Sequence, residues 1–326
     1  MEQNIFLIGI FNVIICAAFG YAFGPLIKNL GLKFNILDIP DSRKIHKLPI
    51  VRIGGLTIFI TFLLFIFTIP LFFNLQNIDI YESQNTFILL IGGISFFLLG
   101  LHDDIYKSPP VFRLIVQILV AIALTFHGIN ISNISIKLPY LESLNINLPI
   151  FFVYLFTSLW IVGLTNAINW LDGFDGLAGG FCSIVSIGLA IHFYTVDILD
   201  GSIFFSILAG STIGFLLRNF RPPLYIMGDC GSYFLGYCLS VGTLFYSTNY
   251  SDNSISIIYL ITLFSLPILD MCFVIFKRII NRINPFKADS NHIHHRLLNN
   301  NVQYKYIIFS TYSYTTFSTF LALLFF

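Results

Sequence analysis

Apolar stretches about as long as a membrane is thick recur along this whole chain, and charged residues are swept into the segments between them. A hydrocarbon core of about 30 Å takes roughly 20 helical residues to cross. A helix is the one open-ended structure that satisfies its own backbone polar groups there. The runs fall near residues 5–27, 53–73, 86–101, 111–128, 149–168, 176–194, 201–217, 232–248, 254–276 and 306–326. The expected architecture is therefore an all-α polytopic membrane protein with about ten transmembrane helices, one domain over residues 1–326. Composition agrees: 56% of residues are hydrophobic and 10% charged, against roughly a quarter charged in soluble domains. The first run follows Glu2 and no basic stretch, so it reads as a retained helix.

Lys and Arg set the orientation, because they are retained on the cytoplasmic side. With the N-terminus outside, 16 of the 17 fall in loops that become cytoplasmic: six in 28–52, two in 101–113, two in 218–231 and six in 277–305. The exception is Lys137, in a stretch from Asn130 to Pro149 whose alternating pattern predicts a short outer hairpin. The net charge of +1 and the lack of a basic tract exclude nucleic acid as a partner. Five cysteines, mostly inside apolar runs and without CxxC spacing, read as packing residues.

Chemically capable residues gather in the cytoplasmic loops. An Asp in the apolar region costs about 2.5 to 3.5 kcal/mol, so acids at span ends need the interface or a purpose. Asp103 and Asp104 end the third run. Adjacent carboxylates repel unless a cation is near, which suits a Mg²⁺ site or a tuned base, though a solvated pair ending a helix is the plainer reading. At the end of the fifth run Asn166, Asn169, Asp172 and Asp175 recur every three residues and share one face while the backbone stays helical, and Gly173 and Gly176 let it turn tightly or approach a ligand. Such amides and carboxylates can read a base and ribose while holding a metal. Asn219 is followed by Gly228-Asp229-Cys230-Gly231-Ser232, whose N–H groups at a helix start favour phosphate beside a carboxylate, or form a simple N-cap. His292, His294, His295 and Arg296 lie in the last loop without the spacing of a zinc site; phosphate or sugar contact fits them better.

In this order, the segments resemble the polyprenyl-phosphate N-acetylhexosamine-1-phosphate transferases, nearer the branch using simple UDP-N-acetylhexosamines than the muramoyl-pentapeptide branch. Leu171, where the latter usually has Thr, and His292-x-His294-His295 in place of a triple His carry that distinction. The first loop, Asp38-Ile-Pro-Asp41-Ser-Arg43-Lys44-Ile-His46 with Arg52-Ile-Gly54-Gly55, belongs to the match. The resemblance implies transfer of a sugar 1-phosphate from a UDP-sugar to undecaprenyl phosphate with release of UMP, initiating cell-envelope polysaccharide or lipopolysaccharide synthesis. It implies Mg²⁺, with Mn²⁺ as the alternative ion, on Asp229 and, as a second candidate, Asp172. Asp103 or Asp104 would deprotonate or orient the lipid phosphate. Asn169, Asp172, Asp175 and Asn219 would surround the nucleotide, and Lys44, His46, Arg52, His292, His294, His295 and Arg296 would contact phosphate and sugar. A multi-pass protein of the bacterial inner membrane is expected, with a cytoplasmic active site and, as one option, a homodimer. Arg113 stands where relatives often carry Lys, and Ile226 where they often carry Phe. The competing reading is an ion-coupled secondary transporter, whose acids should lie near the midplane; Asp270 alone lies clearly within a run.

Overall fold

The computed structural model describes residues 2–40, 48–72, 84–136, 144–220, 222–250, 254–282 and 292–324. Each of the ten expected segments lies on helix: α1 (Glu2–Lys33), α2 (Gly55–Phe72), α3 (Gln84–Tyr106), α4 (Pro110–Phe126), α5 (Ile150–Leu171), α6 (Leu177–Thr195), α7 (Leu199–Asn219), α8 (Gly228–Tyr250), the pair α9 (Ile257–Leu263) and α10 (Ser265–Ile280), and, after a short α11 (Ile293–Asn299), α12 (Tyr304–Ala322). Among the described residues five helices are long and apolar enough to cross a membrane, or six if the bent pair is one span. The protein is thus a mostly helical, multi-pass membrane protein.

The expected continuous ninth span is instead broken, with 81° between α9 and α10. Pro267 explains the break. Its missing N–H cannot bond the carbonyl four residues back, at Leu263, and its ring clashes with that carbonyl. The helix ends at Leu263 and restarts once Ile268 can donate to the Phe264 carbonyl at 3.1 Å.

The expected hairpin is present. Strand β3 (Asn133–Ile136) pairs antiparallel with β4 (Leu144–Asn147), Asn133 opposite Asn147. Unexpectedly β5 (Ser254–Ser256) joins β3 in parallel; Lys137 lies outside the described residues.

Burial follows a lipid-facing logic. Helix α7 sits at the centre of the bundle between α1 and α6, and α8 packs along α3 and α5. Phe126, Phe309 and Phe317 are more than 60% exposed, a surface suited to acyl chains. Buried hydroxyls on α7 are satisfied locally: Ser211 and Thr212 donate to the carbonyls of Ile207 (2.8 Å) and Leu208 (2.7 Å), as expected where water cannot serve them.

Candidate active site

The chemistry collects at one end of the bundle, where α3 and α5 finish and α8 begins. After β1 (Leu37–Asp38) and β2 (Ile50–Val51) pair antiparallel, the chain runs beside residues 226–227. Ile226 N–H donates to the Val51 carbonyl, Gly54 N–H to that of Ile226 (both 2.9 Å) and Gly55 N–H to that of Met227 (2.8 Å). This ladder sets Arg52 next to the start of α8.

Arg52 joins three acids. Its Nε donates to Asp104 Oδ1 at 2.8 Å and its Nη2 to Asp229 Oδ1 at 3.3 Å, while Nη1 lies 3.5 Å from Asp38. Burial alone would lower the Arg52 pKa; the charges of Asp229, Asp104 and Asp38 outweigh it and raise it. Arg113, near the start of α4, donates from Nη1 to Asp103 Oδ2 (2.7 Å) and to Asp229 Oδ2 (3.0 Å). Two guanidinium groups thus hold Asp103, Asp104 and Asp229 in one cluster. Without them three close carboxylates could not all remain ionised.

Asp103 and Asp104 differ sharply. The Asp104 side chain is fully buried. Besides Arg52 it accepts from the backbone N–H groups of Asp229 and Cys230, both at 2.9 Å. An acid at the end of α3 therefore caps the N-terminus of α8, using donors that have no partner within that helix. Asp103 instead accepts from Arg113 and lies in hydrogen-bonding contact with the Asp229 carboxyl.

From α5, Asn169 Nδ2 donates to Asp229 Oδ1 (3.0 Å) and to Ser232 Oγ (2.9 Å). The shared face ends where the helix does: α5 stops at Leu171, Asp172 is its C-cap, and the turn that Gly173 and Gly176 allow follows. Asn166 turns away to Gln117 Oε1 at 2.7 Å. The Gly-rich stretch ends the helix, so the three-residue periodicity stops being a face there. Asp172, only partly exposed, makes no ion pair among the described residues. Burial, then the charges of Asp229, Asp104 and Asp175, push its carboxyl well above the usual range.

The turn from Asp172 to α6 is held from three sides. Gly176 adopts φ +80°, a conformation that glycine takes without cost. Its N–H donates to Asn219 Oδ1 at 2.8 Å, and Asn219 Nδ2 donates to the Tyr225 carbonyl at 3.0 Å. Tyr304 and Tyr312 of α12 donate their hydroxyls to the carbonyls of Asp175 and Gly176, each at 2.7 Å. Asn219 thus braces the turn that carries Asp172 and Asp175. The two tyrosines were not singled out in the sequence, where nothing marks them among 16.

Helix α11 brings the histidines over this turn. His292 meets the edge of Trp170 at a centroid distance of 5.5 Å and stacks on His294 at 5.7 Å. His294 is fully buried with both ring nitrogens unpartnered. Burial first, then the His295 and His292 charges, push its pKa down to about 3. His295 packs on His294 (4.4 Å), and the Arg296 guanidinium lies over Phe273 (4.3 Å). Lys44 and His46 lie outside the described residues, as do Asp41, Arg43 and Asp289.

Among the described residues no group of three His, Cys, Asp or Glu forms a ready metal cage. The oxygen donors are nevertheless of the hard type Mg²⁺ prefers. That ion is commonly held by one or two carboxylates with waters and substrate phosphates completing the shell. Asp172 beside Asp229, without an ion pair of its own, fits such a half-built site.

A mostly helical membrane protein that gathers acids, guanidinium groups and amides at one end of its bundle is suited to holding a charged, phosphate-bearing ligand there. The comparison with known sequences narrows this: residues 86–248 match Glycosyl transferase family 4, and the chain belongs to that family. It is 33% identical to a probable undecaprenyl-phosphate N-acetylglucosaminyl 1-phosphate transferase of Bacillus subtilis, over 84% of this chain and 73% of the relative. It is 31% identical to an undecaprenyl-phosphate alpha-N-acetylglucosaminyl 1-phosphate transferase of Thermotoga maritima (81% and 73%). With the Escherichia coli protein of that name the identity is 26%, over 83% and 71%.

Proposed function

We propose that this protein transfers N-acetylhexosamine 1-phosphate from a UDP-sugar to undecaprenyl or another polyprenyl phosphate, yielding polyprenyl-diphospho-sugar and UMP. An oxygen of the lipid phosphate bonds to the phosphorus that carries the sugar. The bond from that phosphorus to the bridging oxygen breaks, and UMP leaves with the electron pair. Several relatives bear names that describe such transfer. The observation that carries the reading is the Arg52–Arg113 cluster with Asp103, Asp104 and Asp229, since phosphoryl transfer depends chiefly on positioning and charge neutralisation.

Asp103, which makes no bond to the α8 backbone and is held by Arg113 beside the Asp229 carboxyl, is the acid placed to take or orient the lipid phosphate's proton. Asp229 and Asp172 are the candidates to hold Mg²⁺ or Mn²⁺, which when bound would neutralise diphosphate charge. Asn169 fixes Asp229, and Asp172 and Asp175 border the nucleotide on a turn that Asn219 braces. Arg52 is the candidate to contact the phosphates, with Lys44 and His46 assigned the same role by the resemblance alone; His292, His294, His295 and Arg296 are the candidates for the sugar. Ten crossings, with the N-terminus outside and this site at the cytoplasmic face of a bacterial inner membrane, agree with the Lys and Arg distribution. Initiation of cell-wall or lipopolysaccharide synthesis, and a homodimer, belong to the same reading. Among the described residues no observation favours the transporter alternative: Asp270, the acid within a run, has both oxygens bonded to α11 and its leading His292.

The test is turnover of purified protein with undecaprenyl phosphate and a panel of UDP-N-acetylhexosamines, with Mg²⁺ and with EDTA, following UMP and the lipid product. Metal-dependent release is expected. Release that persists in EDTA would remove the metal assignment, and no release with any sugar would overturn the transfer itself.

A further inference from the structure

Asp270, on α10, is a buried acid that the transfer chemistry does not use. Its Oδ2 lies 2.8 Å from His292 Nδ1, and its Oδ1 accepts the Ile293 N–H at 2.8 Å. A carboxylate can only accept, so the His292 contact requires the proton on Nδ1. The ring is also fixed in orientation, edge-on to Trp170 and stacked on His294. Trp170 is in turn covered by Arg278 of α10, 5.0 Å from its ring. A histidine so held presents one defined atom, Nε2. A carboxylate behind an imidazole is the arrangement that sets tautomer and orientation in many sites where the other nitrogen works.

We propose that Asp270 is a positioning residue for the transfer reaction, locking the proton of His292 on Nδ1 and so dedicating Nε2 to the bound sugar-phosphate. This rests on the function proposed above. It also gives a reason for the break between α9 and α10: the second half of the pair carries the acid to the start of α11.

The informative variant is Asp270→Asn. The carboxylate serves two donors, the ring N–H and the Ile293 N–H, whereas an amide oxygen can serve only one where each carboxylate oxygen now stands. The Ile293 N–H cannot change its protonation, but the ring can. Asn should therefore keep the start of α11 in place and drive the His292 proton to Nε2.

The experiment reads this in the full chain in nanodiscs with ¹⁵N-labelled histidine, identifying the His292 signal by its loss in His292→Gln. Expected are an Nδ1-protonated ring in the wild type and an Nε2-protonated ring in Asp270→Asn. Turnover of Asp270→Asn should fall about 10- to 100-fold, the range typical of such supporting partners, with an unchanged melting midpoint. The double variant Asp270→Asn/His292→Gln should lose no more than His292→Gln alone. A wild-type ring protonated on Nε2 alone, undiminished turnover of Asp270→Asn, or losses that multiply in the double variant would each overturn the proposal. The ¹⁵N readout needs no turnover, so a wild type that transfers nothing from a UDP-sugar would defeat the substrate reading while the ring's tautomer is still decided.

Discussion

Adjacent in sequence, Asp103 and Asp104 do different work, and the difference is set by a helix that begins 125 residues later. Removing the Asp104 carboxylate would strand Arg52 and leave the N–H groups of Asp229 and Cys230 without their acceptor. Breaking a buried charged network in this way costs about 3 kcal/mol or more, so Asp104→Ala should lower the melting midpoint in detergent markedly. Asp103→Asn keeps shape and a donor–acceptor group, and should melt near the wild type while turnover falls ~10²-fold or more, the scale of lost general-base catalysis. Equal destabilisation by both changes would show that the pair acts as a structural unit. His294 provides a pH test. Its folded pKa of about 3 lies below the ordinary 6.5 of an exposed histidine, so between those values the unfolded chain binds the extra proton and stability falls as pH falls. At pH 5 the loss is about 2 kcal/mol. Replacement by Leu should flatten the midpoint between pH 7 and pH 5, and an undiminished slope would place the titration elsewhere. The sequence marked Asp103, Asp104, Asp229 and the histidines by type and spacing. It could not say which oxygen each would bond, because those partners come from other elements, the first loop, α4, α8 and α10, brought together only by the fold.

At the scale of elements, two helix starts are served by acids from other helices, Asp104 for α8 and Asp270 for α11. Each couples an approaching element to the site more firmly than a local cap would. The same closeness limits what α3 can carry: a Cβ on Gly100 would lie 2.3 Å from the Asp229 carbonyl oxygen, backbone that cannot swing aside. Gly100→Ala should push the start of α8 away from Arg113 and Asn169 and reduce turnover ~10²-fold, the penalty typical of a displacement of about 1 Å, while the protein still inserts. Unchanged activity would mean that α8 slides without disturbing Asp229. Among the described residues apolar run length placed each expected run on helix, since membrane solvation imposes it residue by residue. It missed the bend before Pro267, where backbone sterics outweigh hydropathy. The three-residue spacing of Asn166, Asn169, Asp172 and Asp175, by contrast, runs past the end of α5, where Gly173 and Gly176 favour a turn. The parallel pairing of β5 on β3 was not legible, because three residues carry too little pattern.

For the whole molecule, everything proposed depends on which side of the membrane the cluster faces. If the Lys and Arg bias is the cause of orientation, the hairpin at β3–β4 must lie outside and the link between α11 and α12 inside. Asn147 is exposed on β4 and Asn300 is exposed after α11, so each can report its side as cysteine. Of the native thiols four are buried and Cys272 is exposed, which makes Cys272→Ser the suitable background. With a membrane-impermeant maleimide, Asn147→Cys should label in intact cells and Asn300→Cys only after permeabilisation. A UDP-sugar made in the cytoplasm would then meet Asp229 and the histidines directly. The reverse pattern would put the cluster on the far side from its nucleotide substrate, and the transferase reading would need a different donor. Labelling of both sites in intact cells would mean that the chain crosses an even number of times between them, so that the bent α9–α10 pair enters and leaves on one side instead of spanning.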